Sequence, residues 1–121
     1  MELTKEIQTA ARQLGKCLHQ DKHISIYLDA LEESQTDPEA SALEKQMYDE
    51  YEALIARQQA GEMLSQEDTR GFYELRQQVQ DHPLISRRDR LHRQIRPYLN
   101  EIAEEIRFAL GVDYTALAKP H

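Results

Sequence analysis

Apolar residues return every three or four positions along this chain, with polar residues filling the gaps. Leu3, Ile7, Ala10, Leu14 and Cys17 follow one another at steps of four, three, four and three. That spacing gathers them into one stripe on an α-helix and would scatter them over both faces of a strand. Ala11 and Leu18 widen the stripe, so a first amphipathic helix is predicted over about residues 3–20, shaped to pack on something large. Ile24, Tyr27, Leu28 and Leu31 mark a second helical stretch over about 25–35, which either continues the first or bends from it near Asp21.

Thr36-Asp37-Pro38-Glu39 is a start signal: Thr36 or Asp37 can accept from free helical N–H groups, and proline at the first helical position gives up nothing. The third stripe, Ala40, Leu43, Met47, Tyr51 and Leu54, runs to about Gly61, a rod of about 22 residues and roughly 33 Å. Ser65-Gln66-Glu67-Asp68 reads as a variant capping box opening a fourth helix, with Phe72, Leu75 and Val79 on its apolar face. His82-Pro83 closes that helix and opens a fifth. Leu84, Leu91, Ile95, Tyr98, Leu99, Ile102, Ile106, Ala109 and Leu110 then share one face as far as Gly111, a candidate C-cap. Pro97 falls inside this last stretch and predicts a bend near Arg93 to Arg96. The segment from Val112 to His121 is expected to fray or dock weakly. The short loop from Gly61 to Ser65 predicts that helices three and four pair antiparallel.

The predicted fold class is all-α: an antiparallel bundle of about four or five amphipathic helices with a long helical hairpin, one domain over residues 1–121, dimerising through its helix stripes. Leu14, Cys17, Leu43, Met47, Tyr51, Leu54, Leu91, Ile95 and Ile102 are the expected core or interface residues. Composition agrees, since four glycines, four prolines and no tryptophan in 121 residues favour long helices over a many-turned sheet. The net charge of −7 disfavours generic binding to nucleic acid or anionic membrane, because phosphates repel an acidic surface unless a local patch overrides it. No apolar run reaches the roughly 18–20 residues that span a bilayer, and the first residues lack a signal-peptide apolar core. A cytoplasmic location is expected, and the single cysteine fits a reducing compartment.

Candidate chemistry is sparse. His19 and His23, four apart, would share a helix face, and Asp89 with His92 resembles half of a carboxylate-x-x-His motif, but neither has the further ligands a metal site needs. Cys17 sits on the first stripe, where core packing is favoured over reactivity. No nucleophile has a base, so no catalytic residue, metal or cofactor is expected and the chain is read as non-enzymatic. The one departure from the acidic background is Arg87, Arg88, Arg90, Arg93 and Arg96 within ten residues. Planar guanidinium forks suit carboxylates and phosphates, so this patch has three readings. It can pair with the acidic stretch from Asp29 to Glu52, across helices or between protomers, it can dock a partner protein, or it can contact RNA. The last is disfavoured because no aromatic interleaves the arginines to stack bases.

The order of these pieces resembles the YlbF/YmcA/YheA family of small helical bacterial proteins. The resemblance rests on Ala11 with Leu14-Gly15, Tyr27 and Ala30, Asp37 with Ala40 and Leu43, Gln58 or Gln59 before Gly61, and then Leu75, Val79, Pro83 and Ile85, spanning about residues 3–110. The chain looks closest to the YheA branch. The resemblance implies a regulatory protein that forms dimers or larger assemblies, with a sister family member or a ribonuclease as partner and a link to mRNA processing. Some relatives carry iron–sulfur clusters through cysteines; with Cys17 alone, this chain does not match that pattern.

Overall fold

A computed structural model describes residues 1–120. Six helices follow one another: α1 (Lys5–Gln20), α2 (Lys22–Thr36), α3 (Pro38–Gln59), α4 (Gln66–Asp81), α5 (Pro83–Leu110) and α6 (Tyr114–Ala118), with no strand among the described residues.

Each helix start is set by a side chain that accepts from the otherwise unbonded first-turn N–H groups. Thr4 caps α1 by accepting from the Ile7 N–H at 3.2 Å. Asp21 accepts from the N–H groups of His23 and Ile24 at 2.9 and 3.2 Å, capping α2 from an extended conformation. The break therefore falls at Asp21 itself, and α2 begins three residues before its predicted start. Asp37 accepts from the Ala40 N–H at 2.9 Å, with Pro38 at the first helical position. His82 repeats the arrangement through Nδ1, which accepts from the Leu84 N–H at 3.3 Å ahead of Pro83. The predicted capping box is present: Ser65 Oγ accepts from the Asp68 N–H, and Asp68 Oδ2 accepts from the Ser65 N–H at 2.9 Å.

Packing divides the helices into two antiparallel pairs, α2 with α5 and α3 with α4. The second pair is the predicted hairpin, turned at Gly61 (φ +91°), where a Cβ would be strained. The two pairs meet at a waist where Asp37 and His82 face each other, His82 Nε2 lying 3.7 Å from Asp37 Oδ2. Ala40, Val79 and Ile85 form the core cluster beside this waist, flanked by Leu43 and Met47. Ile24, Ala30 and Ile95 are buried on α2 and α5, and Leu54 on α3.

Two expectations need correction. Leu14, Cys17 and Tyr51 are exposed, so they are not core within this chain: α1 buries no residue at all, and Tyr51 sits at the hairpin edge against Phe72, ring centroids 5.7 Å apart. Pro97 lies within α5, which is helical from Pro83 to Leu110. Arg93 and Pro97 are exposed positions, where water can reach the carbonyl that proline leaves unbonded. The segment after Gly111 is not simply frayed, because Asp113 caps the short α6 by accepting from the Thr115 N–H; His121 lies outside the described residues. Of the other expected core residues, Leu54 and Ile95 are buried, and Leu43, Met47, Leu91 and Ile102 are half-buried.

Candidate functional site

The arginine segment occupies the first half of α5, and the structure splits it in two. Arg88 points into the waist, where its guanidinium donates to both Glu44 oxygens at 2.7 and 3.1 Å and to Ser34 Oγ at 3.4 Å. Ser34 is fully buried and donates in turn to the Leu31 carbonyl at 2.8 Å. One side chain of α5 thus clamps α2 and α3 together, and its hydrogen bonds to Glu44 push the Arg88 pKa further up, so the cation persists at every accessible pH. Asp89 Oδ1 also lies 3.0 Å from the same guanidinium. Arg87 pairs with Glu33 of α2 at 3.0 Å on the surface. Both acidic partners lie in the stretch from Asp29 to Glu52, so for Arg87 and Arg88 the pairing across helices is realised within one chain.

Arg90, Arg93 and Arg96 are exposed and make no ion pair among the described residues. They form the cationic part of the surface that the fold leaves uncommitted.

The joint between α1 and α2 is the second built feature. The Tyr98 hydroxyl of α5 donates to Asp21 Oδ2 while the same carboxylate caps α2. These contacts, first the Tyr98 hydroxyl and then the Ile24 N–H, hold the Asp21 carboxyl below the ordinary carboxylate range, and the Tyr98 phenol is pushed up by Asp21. His23 lies edge-on to Tyr98 at 5.9 Å, and Tyr27 lies against His92 at 5.5 Å. His19 and His23 therefore belong to different helices, so the one-face geometry behind that metal reading is absent, whereas Asp89 and His92 both lie on α5, where His92 rests against Tyr27. Among the described residues no three metal-ligating side chains cluster.

The third feature is apolar surface without cover. Leu3, Ile7 and Leu14 are 65%, 55% and 41% exposed, and among the described residues the main packing of α1 is against its chain neighbour α2. Leu99, Phe108 and Leu110 of α5 are also exposed. The chain exposes 9871 Å² in all for a mass of 14.2 kDa, whereas a compact monomer of that mass exposes about 6,800 Å², an excess of roughly 3,000 Å². On α3 and α4, Tyr48, Tyr51 and Tyr73 stand exposed around Phe72. Sequence reasoning missed this aromatic edge because each ring, taken helix by helix, fell on or near an inward stripe; only the width of the hairpin shows them overhanging it.

A family described as control of competence regulator ComK, YlbF/YmcA, matches residues 7–110. A UPF0342 protein of Lactobacillus acidophilus is 33% identical over 79 residues, covering 65% of this chain and 68% of its own. No solved structure matches the chain significantly.

Proposed function

Because the chain belongs to the YlbF/YmcA family of proteins described as controlling the competence regulator ComK, we propose that it is a non-enzymatic cytoplasmic adaptor that regulates through self-association and protein–protein contacts. The observation that carries this reading is α1: sixteen residues of amphipathic helix with none buried. An apolar stripe of that length left in water is unfavourable and commonly marks an interface. The excess of surface over a compact monomer far exceeds the ~800 Å² per partner of an ordinary interface. No helix among the described residues is long and apolar enough to cross a membrane. Light scattering at micromolar concentration tests the reading, with a dimer or larger species expected and a strict monomer refuting self-association. A pull-down with and without ribonuclease tests the adaptor role: a sister family member or a ribonuclease should be recovered in both samples.

A second reading, contact with RNA as an accessory to its processing, is favoured by one observation, the uncommitted Arg90, Arg93 and Arg96 on a single stretch of α5. It predicts binding that weakens steeply with salt and is lost when all three become Gln. Unchanged binding in that variant would remove it.

A further inference from the structure

The α2·α5 pair runs in a well-defined antiparallel register: Asp21 meets Tyr98, Tyr27 meets His92 and Glu33 meets Arg87. At the Asp21 end α2 stops, but α5 does not. It continues for three more turns to Leu110, and its core-facing stripe continues with it through Leu99, Ile102, Ile106 and Leu110. This overhang is about 18 Å long and has no buried residue. If α1 ran straight on from α2 it would cover the overhang, since its own stripe is of the same kind and its length is about 24 Å. It does not, because Asp21 breaks the helix and is held in the broken conformation by the cap it makes and by Tyr98. Each chain thus carries two apolar stripes, the α1 stripe long enough to cover the shorter overhang, that it does not bring together.

We propose that a second copy of the chain supplies the cover: α1 of one protomer lies antiparallel on the α5 overhang of the other, and reciprocally, in a two-fold exchanged dimer. The inference rests on the self-association reading and goes further by naming the two faces. Both stripes are suited to each other chemically. On α1 the charged side chains Lys5, Arg12 and Lys16 fall away from the stripe, leaving Glu6 at its margin, and on the overhang Glu101, Glu104, Glu105 and Arg107 lie off the Leu99–Ile102–Ile106–Leu110 stripe, so a close helix pair can keep these charges at its edges. Reciprocity follows from two-fold closure, because one copy of each stripe per chain is satisfied by two contacts and leaves nothing open for a filament. Extending the register of the α2·α5 pair places Cys17 of one copy level with Ile102 of the other, and Ala10 level with Ala109.

The register makes the inference testable with the native thiol. Ile102→Cys, oxidised under mild conditions, should convert most of the chains into a disulfide-linked dimer on a non-reducing gel, and Ile102→Cys with Cys17→Ser should not. Should Ile102→Cys unfold the chain, Ala10→Cys with Ala109→Cys in a Cys17→Ser background puts two small-for-small substitutions to the same use. A disulfide formed within one chain would overturn the inference by showing α1 folded onto its own α5. A dimer in light scattering that never cross-links through either pair would overturn the inference and leave self-association standing, through other faces. A monomer in scattering would end both.

Discussion

The Tyr98 hydroxyl donates to the same Asp21 carboxylate that caps α2, so one acidic side chain both starts a helix and ties it to another helix 77 residues further along the chain. The contact favours ionised Asp21 and protonated Tyr98. A carboxyl whose folded pKa is depressed contributes stability that is present above its unfolded value, near 3.8, and is lost as pH falls through the lower folded value. Tyr98 acts in the opposite sense: its contribution is present below the unfolded phenol value, near 10.0, and lost as pH rises through the raised folded one. In an acid titration followed by circular dichroism, Asp21→Asn should therefore show less loss of stability between neutral and strongly acidic pH than the native chain. The phenolate absorbance that Tyr98→Phe removes should rise with a midpoint above the ordinary phenol value near 10.0; a midpoint at or below it would contradict the contact.

Breaking the Arg88–Glu44 clamp should be costly. Both side chains are largely buried, and hydrogen bonds to charged groups are worth about 1.5–3 kcal/mol each. Glu44→Ala removes both carboxylate oxygens at the buried end of the guanidinium and leaves it only Asp89 and Ser34, so chemical denaturation should report a loss of about 2 kcal/mol. Arg88→Met with Glu44→Leu should recover part of it, because an apolar pair of similar volume avoids the buried charge.

Arg90, Arg93 and Arg96 should behave differently. With no ion pair to lose, their replacement by Gln should change stability by no more than about 0.5 kcal/mol, as for ordinary surface positions. Partner recovery in the pull-down is where an effect is expected if this face docks a protein.

Leu54 is 7% exposed on α3. Leu54→Asp would bury an unpaired carboxylate, and a loss of at least about 3 kcal/mol in denaturant unfolding is expected. Leu14→Asp, on the exposed face of α1, should leave the helical signal of the monomer nearly intact while lowering the scattering mass; equal damage from both variants would contradict the placement of α1 outside the core.

Helix existence was legible from the sequence because stripes, capping residues and the two X-Pro junctions agree at the starts of α3, α4 and α5. Thr36 to Glu39, Ser65 to Asp68 and His82-Pro83 each fall within a residue or two of an observed start. The outcome at Asp21 was not legible: a bend and a continuous helix share the same periodicity, and only the distant Tyr98 hydroxyl singles out the break. Cys17 and Leu14 illustrate a related limit. A stripe says that a face is apolar, but whether its cover comes from the same chain depends on where the helix is aimed. In the arginine segment the residue types were legible and their division was not, because Arg88 differs from Arg90 in a rotation about α5 whose meaning comes from Glu44, in a separate helix.

The waist at Asp37 and His82 makes the α3–α4 hairpin a nested unit, inserted in sequence between the two helices of the α2·α5 pair with entry and exit side by side. Joining α2 to α5 directly would mean closing a long flexible loop, whose entropy cost grows with the logarithm of its length. Here the intervening chain is itself a closed hairpin whose ends already meet, so the long-range pairing of α2 with α5 is brought within reach by a short-range one. For the same reason, whole turns added to or removed from the far end of the hairpin near Gly61 leave the register of α2 against α5 untouched, which makes that tip the part of the chain freest to vary in length.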